Sequence, residues 1–384
     1  MRLVLAALAL AAVAGSGSST PRVAPPHPCR AVLPRGPAVP ARLVVWDSCG
    51  VFRLDTHGRL HRLRRHWLAY HGGGTGRRFG ADLQIRRTHE GAYVLRRHGR
   101  TIWSSSGLYP NDYTGVAFGP GLFAFGSYTH RGIFLTDLRS PERRVARGRD
   151  IFPLGFTLGG QLLVDARPLI LVIGRNGSLL RHYRYAPRRG FTFDERKSLL
   201  FLVTPAAALA EVEGMRARIV GRAPRIVASP SLLAPGLLAW VGRHGLVVTD
   251  STGRVVASST WPSALGTADI GVMSSPDAEL FAYRLSNLRP GRPRASTAVF
   301  VLRRGDHVAH RVFDQPAAQP GCGGVPGGLS WNGHDLLYDF GDGRLVVLDA
   351  DSGARTNLSA FAKAVPRRDP GEPLAFAWAS SFTR

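Results

Sequence analysis

The stretch that decides the fold is residues 115–145, which read GVAFGPGLFAFGSYTHRGIFLTDLRSPERRV. It contains four short runs that are rich in Val, Phe, Ile, Leu or Ala and are bounded by Gly, Pro, Asp or Ser. Short apolar runs between such turn formers predict antiparallel strands joined by hairpins. One four-stranded meander leaves a sheet face uncovered, so we expect further copies of this unit along the chain.

The unit recurs at a regular period. Its second strand is predicted where an apolar run follows a turn, and there are eight such runs: 43–46, 83–85, 122–125, 162–164, 199–203, 237–240, 280–283 and 336–338. The last residues of successive runs are 39, 40, 39, 39, 37, 43 and 55 residues apart. A period near 40 with four strands per unit is typical of an all-β fold, the β-propeller. We predict eight blades, with seven as the alternative because the second unit has a weak pattern.

The turn after the third strand repeats as well. Asp55, Asp250 and Asp349 each end an apolar run, and a Gly follows three or four residues later. An Asp in this position accepts hydrogen bonds from the backbone amides that follow it, and the Gly takes a positive φ. We therefore interpret these Asp residues as structural.

A second turn carries a resemblance to a known family. Ser275, Pro276 and Asp277 precede the second strand of the seventh unit, and Gly-Pro-Gly and Ala-Pro-Gly precede the same strand in the third and sixth units. This pattern resembles the Ser-Pro-Asp-Gly hairpin of TolB-like and WD40-like propeller repeats, with Ala278 where the family has Gly. The resemblance implies the propeller fold. It implies no single activity, because that group includes periplasmic scaffolds and peptidase accessory domains.

The two ends of the chain predict how the ring closes. The first unit begins directly at its second strand, at Leu43, and residues 374–379 read LAFAWA with no strand after them. We predict that 374–379 pair with 43–46 and supply the first strand of the first blade, which would cover both open edges.

The N-terminus predicts export. Residues 1–14 contain one positive charge and a twelve-residue apolar run that ends in Ala-Val-Ala, the pattern of a signal peptide cut after Ala14. That run is too short to span a bilayer, and no later segment is longer and equally apolar. Residues 15–40 are rich in Pro and predict a linker, and residues 41–384 predict the propeller. We expect a monomer that is not membrane-spanning, either secreted and extracellular or held in the cell envelope.

Three cysteines are present, Cys29, Cys49 and Cys322. In an oxidising compartment one disulfide is expected, and three pairings are open. Ring closure would bring Cys49 and Cys322 to the same face of neighbouring blades, so our interpretation favours a ring-closing bond that involves Cys322.

The net charge of +24 and the pI near 11.4 do not predict a nucleic-acid partner. Nearly all of the charge is Arg, and it is spread along the whole chain, as is typical of a GC-rich bacterial genome. An exported protein meets anionic polymers of the cell wall or lipid headgroups instead. Contact with these would be weak and sensitive to salt.

No motif predicts catalytic residues, a metal site or a cofactor. His71 begins the sequence His-Gly-Gly-Gly, which copies an esterase oxyanion loop, but the chain has no Gly-x-Ser-x-Gly nucleophile motif. His57, His61, His66 and His71 lie in predicted strand, turn and loop, where their spacing does not converge on one metal ion.

The links between blades carry the predicted binding residues. Links of 12 to 17 residues at 64–80 and 103–115 are longer than usual connections and contain aromatic side chains beside charged ones. The predicted residues are Trp67, Tyr70, His71, Tyr109, Asp112, Tyr113, Trp261 and Asp269. An alternative stays open, in which each ring packs over a blade edge.

These patterns favour a non-enzymatic scaffold that binds a protein or a cell-wall glycan through the links. The alternative is a propeller enzyme, a lyase or hydrolase, with His and carboxylate groups in the central channel. The side chains that line the channel distinguish the two hypotheses.

Overall fold

The computed structural model of the chain describes residues 29, 32–47, 49–63, 83–87, 92–97, 100–107, 109, 115–119, 121–194, 197–225, 228–234, 236–242, 244–261, 272–286, 297–315, 328–340, 344–366 and 375–382. Within them no helix is long and apolar enough to cross a membrane. The predicted signal peptide at 1–14 and Cys322 lie outside the described residues.

The described residues form eight antiparallel sheets, one for each blade. The first two blades contain β1 (Leu43–Asp47), β2 (Gly50–Leu54), β3 (Leu60–Leu63), β4 (Leu83–Arg87), β5 (Tyr93–Arg97) and β6 (Arg100–Ser104). The third and fourth contain β7 (Val116–Gly119), β8 (Leu122–Ser127), β9 (Gly132–Thr136), β10 (Arg143–Arg147), β11 (Ile151–Phe156), β12 (Leu162–Ala166), β13 (Leu169–Ile173) and β14 (Leu179–Arg184).

The second half of the chain repeats the arrangement. The fifth and sixth blades contain β15 (Phe191–Asp194), β16 (Leu199–Val203), β17 (Ala208–Glu213), β18 (Arg216–Arg222), β19 (Pro230–Ala234), β20 (Leu237–Val241), β21 (Gly245–Asp250) and β22 (Val255–Thr260). The last two contain β23 (Met273–Ser274), β24 (Leu280–Ser286), β25 (Thr297–Arg303), β26 (His310–Gln315), β27 (Leu329–Asn332), β28 (Asp335–Asp339), β29 (Leu345–Asp349) and β30 (Arg355–Asn357). Helix α1 (Ser359–Ala364), β31 (Ala375–Trp378) and a 3₁₀ helix (Ala379–Phe382) follow.

This arrangement confirms the predicted eight-bladed propeller. All eight predicted second strands lie within observed ones, from β1 to β28. Seven sheets have four strands, and the second blade has three described strands, β4, β5 and β6.

The C-terminal strand closes the ring as predicted. β31 pairs with β1, with Leu43 opposite Trp378 and Val45 opposite Phe376. The indole of Trp378 is fully buried, and its Nε1 donates a hydrogen bond of 3.1 Å to the carbonyl of Ser330 in the eighth blade. The closing strand therefore contacts β1 in its own blade and the eighth blade beside it.

The core is divided among the interfaces between blades. First strands of neighbouring blades contact one another at the centre of the ring, whereas outer strands such as β14 are mostly exposed. Phe156 packs over Gly119 so closely that a Cβ there would lie 2.5 Å from its ring. Aromatic rings of one blade therefore fill space that a glycine leaves in the blade before it.

The repeated Asp turns are structural, as predicted. Asp250 Oδ1 accepts hydrogen bonds from the backbone amides of Thr252 at 2.9 Å and Arg254 at 3.0 Å, and Gly253 has φ +85°. Asp55 behaves in the same way, and hydrogen bonds from the His61 ring and from backbone amides lower its pKa to about 2.

The structure corrects the favoured cysteine pairing. Cys29 is bonded to Cys49, so Cys49 cannot also pair with Cys322. The reason lies in the segment before β1, which packs on the first blade. Val39 is buried there, and the amide of Gly36 donates a hydrogen bond of 2.9 Å to the carbonyl of Gly58. This packing brings Cys29 to the turn between β1 and β2.

Candidate functional site

Each blade exposes its connections on two opposite faces. Because the strands alternate in direction, turns between second and third strands open on the same side as the links between blades. We call this side the link face and the opposite side the turn face. All of the predicted binding residues lie in links, so the predicted site belongs to the link face.

Tyr109 lies between the second and third blades and is buried. Its ring centroid is 4.8 Å from that of Phe125, and its hydroxyl donates a hydrogen bond of 2.8 Å to Glu142 Oε1. Glu142 also accepts a bond of 2.9 Å from the amide of Ser106. Burial alone would raise the pKa of Glu142, but the hydrogen bonds from Ser106 and Tyr109 outweigh burial and lower this pKa. Tyr109 thus joins two blades and presents no exposed ring.

Trp261 closes the link-face end of the sixth blade. Its side chain is buried, its ring centroid lies 5.7 Å from that of Tyr283, and its amide donates a bond of 3.1 Å to the carbonyl of His244. Tyr185 has the same position after the fourth blade, where its amide donates a bond of 3.1 Å to the carbonyl of Pro168. Both aromatic residues pack over blade ends, which is the alternative that the sequence left open.

The remaining predicted residues are not placed. Trp67, Tyr70, His71, Asp112, Tyr113 and Asp269 lie outside the described residues. Of the two described ones, Tyr109 lies between the second and third blades and Trp261 between the sixth and seventh. The structure does not bring these two side chains together.

A groove of about 460 Å³ opens on the link face beside the fifth blade. One wall is the link before β15 and the other is the turn between β16 and β17. The lining residues are Ala186, Pro187, Arg188, Arg189, Thr204, Pro205 and Ala207. An apolar lining with a few charged groups is typical of binding sites. Sequence reasoning missed it because the link is short, although Pro-Arg-Arg in a link was a usable signal.

Backbone hydrogen bonds hold the walls of this groove in place. The amide of Ala186 donates a bond of 2.7 Å to the carbonyl of Val203, and the amide of Val203 donates one of 3.2 Å to the carbonyl of Gly190. Arg189 Nη1 donates a bond of 3.4 Å to the carbonyl of Pro224. The Arg188 side chain is exposed. The groove is therefore preformed, and Arg188 extends from an anchored link.

A buried polar pair supports the start of the same link. The Tyr185 hydroxyl donates a bond of 2.8 Å to Asp165 Oδ1, and Asp165 is only 3% exposed. Arg167 Nε lies 3.4 Å from Asp165 Oδ2. Burial and the bond to Asp165 raise the pKa of Tyr185, so the phenol stays protonated and remains the donor.

First strands bring few titratable groups to the centre of the ring. Those described read VAFG (β7), IFPLGF (β11), FTFD (β15), PSLLA (β19), MS (β23), LSWN (β27) and AFAW (β31). Their single carboxylate, Asp194, is buried and accepts a bond of 3.2 Å from the amide of Lys197. An enzyme in the channel would need titratable groups that converge from several blades.

A charged cluster on the turn face joins the seventh and eighth blades. His334 Nδ1 lies 2.6 Å from Asp351 Oδ2, and its Nε2 lies 2.7 Å from Asp277 Oδ2. Arg303 Nη2 donates a bond of 2.8 Å to Asp351 Oδ1. We call these four residues the 7–8 clamp. The bonds to Asp351 and Asp277 raise the pKa of His334, which favours the imidazolium that donates from both nitrogens.

The clamp is a structural connection on this geometry. Both ring nitrogens of His334 are engaged by carboxylates, so neither is placed to accept a proton from a substrate. Within the described residues, no group of three or more His, Cys, Asp or Glu side chains is arranged to hold a metal ion.

Comparison with known proteins shows the fold alone. No protein-family model matches the chain, and no curated protein matches its sequence. AztD from Citrobacter koseri is similar in structure, with a TM-score of 0.51 and 12% identity over 88% of this chain and 96% of that chain. The computationally designed protein Ika8 has a TM-score of 0.47 and 12% identity over 82% and 98% of the two chains. BamB from Moraxella catarrhalis has a TM-score of 0.41 and 16% identity over 73% and 84%.

Proposed function

We propose that this chain is an exported β-propeller without catalytic activity that binds a protein or glycan partner through its link face, at the cell surface or outside the cell. The groove beside the fifth blade is the observation that carries the proposal. An acidic peptide segment or an acidic sugar chain would set its negative group against Arg188 and Arg189 and its apolar part against Pro187 and Pro205.

The ring centre supports a binding role over the alternative of a lyase or hydrolase. The described first strands carry one carboxylate, Asp194, which is buried and already accepts a backbone hydrogen bond. The enzyme alternative would need several such groups facing one space.

The outer edges of the blades support a scaffold role. In the sixth and seventh blades, the amide of Gly305 donates a bond of 2.8 Å to the carbonyl of Val256, and the amide of Ser258 donates one of 3.0 Å to the carbonyl of Asp306. A turn of one blade thus covers the outer strand of the blade before it. Covered edges favour a rigid platform whose connections are free to bind.

The disulfide supports export, because such bonds persist in oxidising compartments. The test is the N-terminal residue of the protein recovered from the medium and the cell envelope after expression of the full chain. We expect it to begin at Gly15. Recovery of the intact chain from the cytoplasm alone would contradict export.

The binding role is tested with Arg188→Glu. Charge reversal should weaken capture of an acidic partner about tenfold or more, because a charge-assisted contact becomes a repulsion. The matched control is Arg216→Glu, which reverses an exposed charge at the turn-face end of the same blade. The readouts are co-sedimentation with isolated cell-wall sacculi and cross-linking to surface proteins on intact cells.

The outcomes separate the site from the role. Loss of capture in Arg188→Glu with capture retained in Arg216→Glu supports the groove. Equal capture by wild type and Arg188→Glu would reject the groove as the site. Failure of the wild type to capture either sacculi or surface proteins would reject the binding role itself.

A further inference from the structure

Two arginine side chains near the first and second blades contain a buried donor atom. Arg53 lies on β2 and Arg96 on β5, the third strands of neighbouring blades. In each, the Nε atom is buried and has no hydrogen-bond partner among the described residues. Buried donors are normally paired, because an unpaired one loses its solvation without compensation. Each Nε is therefore a donor that an acceptor can satisfy.

Strand alternation places both side chains on the same interface. Phe52 and Leu54 flank Arg53 and pack in the core shared with the eighth blade, so Arg53 lies on the side of β2 that faces the second blade. On β5, Leu95 packs in the core shared with the third blade, so Arg96 lies on the side that faces the first blade.

This interface differs in charge from the one between the fourth and fifth blades. Strands β2 to β6 contain seven Arg and no Asp or Glu. In the fourth blade the corresponding third strand, β13, instead directs Ile170 and Val172 into an apolar core shared with the fifth blade, where both are fully buried. Two guanidinium groups directed into one interface, with no acidic residue on these strands, favour an anion between them.

We infer that the interface between the first and second blades binds a phosphate group. Phosphate presents several acceptor oxygens, so one group can accept hydrogen bonds from Arg53 and Arg96 at once. It would also neutralise the two like charges. Inorganic phosphate and the phosphodiester of an anionic wall polymer share this chemistry. The site is separate from the link-face groove, and neither proposal depends on the other.

The test is phosphate binding by the secreted chain, measured by titration calorimetry and by thermal unfolding in sodium phosphate against sodium chloride at equal ionic strength. We expect phosphate to raise the Tm of the wild type, and Arg53→Gln and Arg96→Gln to weaken phosphate binding about tenfold or more. The matched control is Arg97→Gln. Arg97 is the next residue on β5 and is exposed, and its loss should leave binding unchanged.

Two further variants keep the test decisive if a glutamine variant fails to fold. Arg53→Lys and Arg96→Lys retain the charge but remove the Nε donor, and we expect them to fold and to bind phosphate more weakly than wild type. A wild type without any phosphate-specific rise in Tm would overturn the inference, as would the same rise in all four variants.

A second arm identifies the source of the phosphate. The probe is a poly(glycerol phosphate) oligomer, compared with inorganic phosphate at equal phosphate concentration. Tighter binding of the oligomer assigns the site to a wall polymer, and equal binding assigns it to the free ion. Arg216→Glu serves here as a control, because Arg216 is exposed and lies in neither proposed site, and its phosphate binding should match that of the wild type.

Discussion

The interface between the seventh and eighth blades and the interface between the first and second blades differ in the acidic groups that accompany their basic side chains. In the former, the fully buried Tyr338 is hydrogen-bonded to Arg284, whose Nε is also buried without a partner among the described residues, and the charge at the rim is paired, with His334 between Asp277 and Asp351. In the latter, Arg53 and Arg96 each have a buried Nε without a partner among the described residues.

The difference shows how a closed ring can include a functional interface. Each blade packs mainly on its neighbours, so the loss of stability at one interface can be offset by the others and by the closing strand. Buried hydrogen-bond donors normally have partners, and Arg53 and Arg96 are exceptions to this rule. Such exceptions are expected where a protein binds a ligand.

The largest expected effect is loss of a core aromatic residue at the seventh and eighth blades. Tyr338→Ala should lower the free energy of unfolding by about 3–5 kcal/mol, because it removes a fully buried ring that lies 4.4 Å from Phe340. Val94→Ala, at the half-buried side of β5, should cost below about 1.5 kcal/mol. Urea unfolding measures both, and equal costs would remove the contrast between the interfaces.

The disulfide is expected to hold the first blade's outer segment. Replacement of Cys29 and Cys49 by Ser should lower the free energy of unfolding by about 3 kcal/mol, since the bond closes a loop of 20 residues. The measurement uses a Cys322→Ser background, so that the third thiol cannot exchange. The reduced parent protein is the control, and it should unfold at the same urea concentration as the double variant.

Removal of the two half-buried arginines should stabilise the chain in buffer free of phosphate. Arg53→Leu with Arg96→Leu is expected to raise the free energy of unfolding by about 1–3 kcal/mol, because two unpaired buried donor atoms disappear. In phosphate the gain should shrink, since only the wild type is then stabilised by binding. A loss of stability in both buffers would contradict this account.

Ala278 tests the backbone beneath the 7–8 clamp. It has φ +63°, a left-handed conformation that favours Gly. Ala278→Gly should therefore raise the free energy of unfolding by about 1 kcal/mol, whereas Ala282→Gly in the neighbouring strand β24 should lower it. Thermal unfolding of the pair checks the sign, and a loss of stability in both would show that Ala278 is not strained.

The smallest expected effect is the pH dependence of the clamp. Burial alone would raise the pKa of Asp277, but hydrogen bonds from Ser275 and His334 outweigh burial and lower this pKa to about 2. The pKa of His334 is raised above its ordinary value of 6.5. The clamp should contribute below about 1 kcal/mol, because its groups are partly exposed. This contribution is lost as the pH rises through the raised pKa of His334, and as it falls below about 4 towards the lowered pKa of Asp277.

His334→Ala isolates the contribution of the 7–8 clamp to the free energy of unfolding. The difference in unfolding free energy between wild type and variant should be largest between about pH 4 and pH 6.5 and should shrink on either side. His130→Ala, which removes a His from the third blade, should leave this pH dependence of the wild type in place. A difference that is constant with pH would show that His334 contributes by packing alone.

Much of the fold could be predicted from the sequence because it depends on local pattern. The second strands, the turns at Asp55 and Asp250, and the pairing of residues 374–379 with 43–46 follow from alternation, turn chemistry and the need to cover strand edges. The candidate site could not be read in the same way. An aromatic ring such as that of Tyr109 or Trp261 can lie exposed on a surface or pack over a blade end. Whether it is buried depends on neighbours that are distant in the chain.

The sequence by itself determined the repeat, the structural role of the turn Asp residues and the strand that closes the ring, and it favoured eight blades over seven. Only the tertiary structure decided which side chains meet. Cys29 bonds to Cys49 because the segment before β1 packs on the first blade, and His334 meets Asp277 from 57 residues away because two blades bring their turns to one face. Local patterns depend on nearest neighbours along the chain, whereas contacts between blades depend on the register and packing of the whole ring.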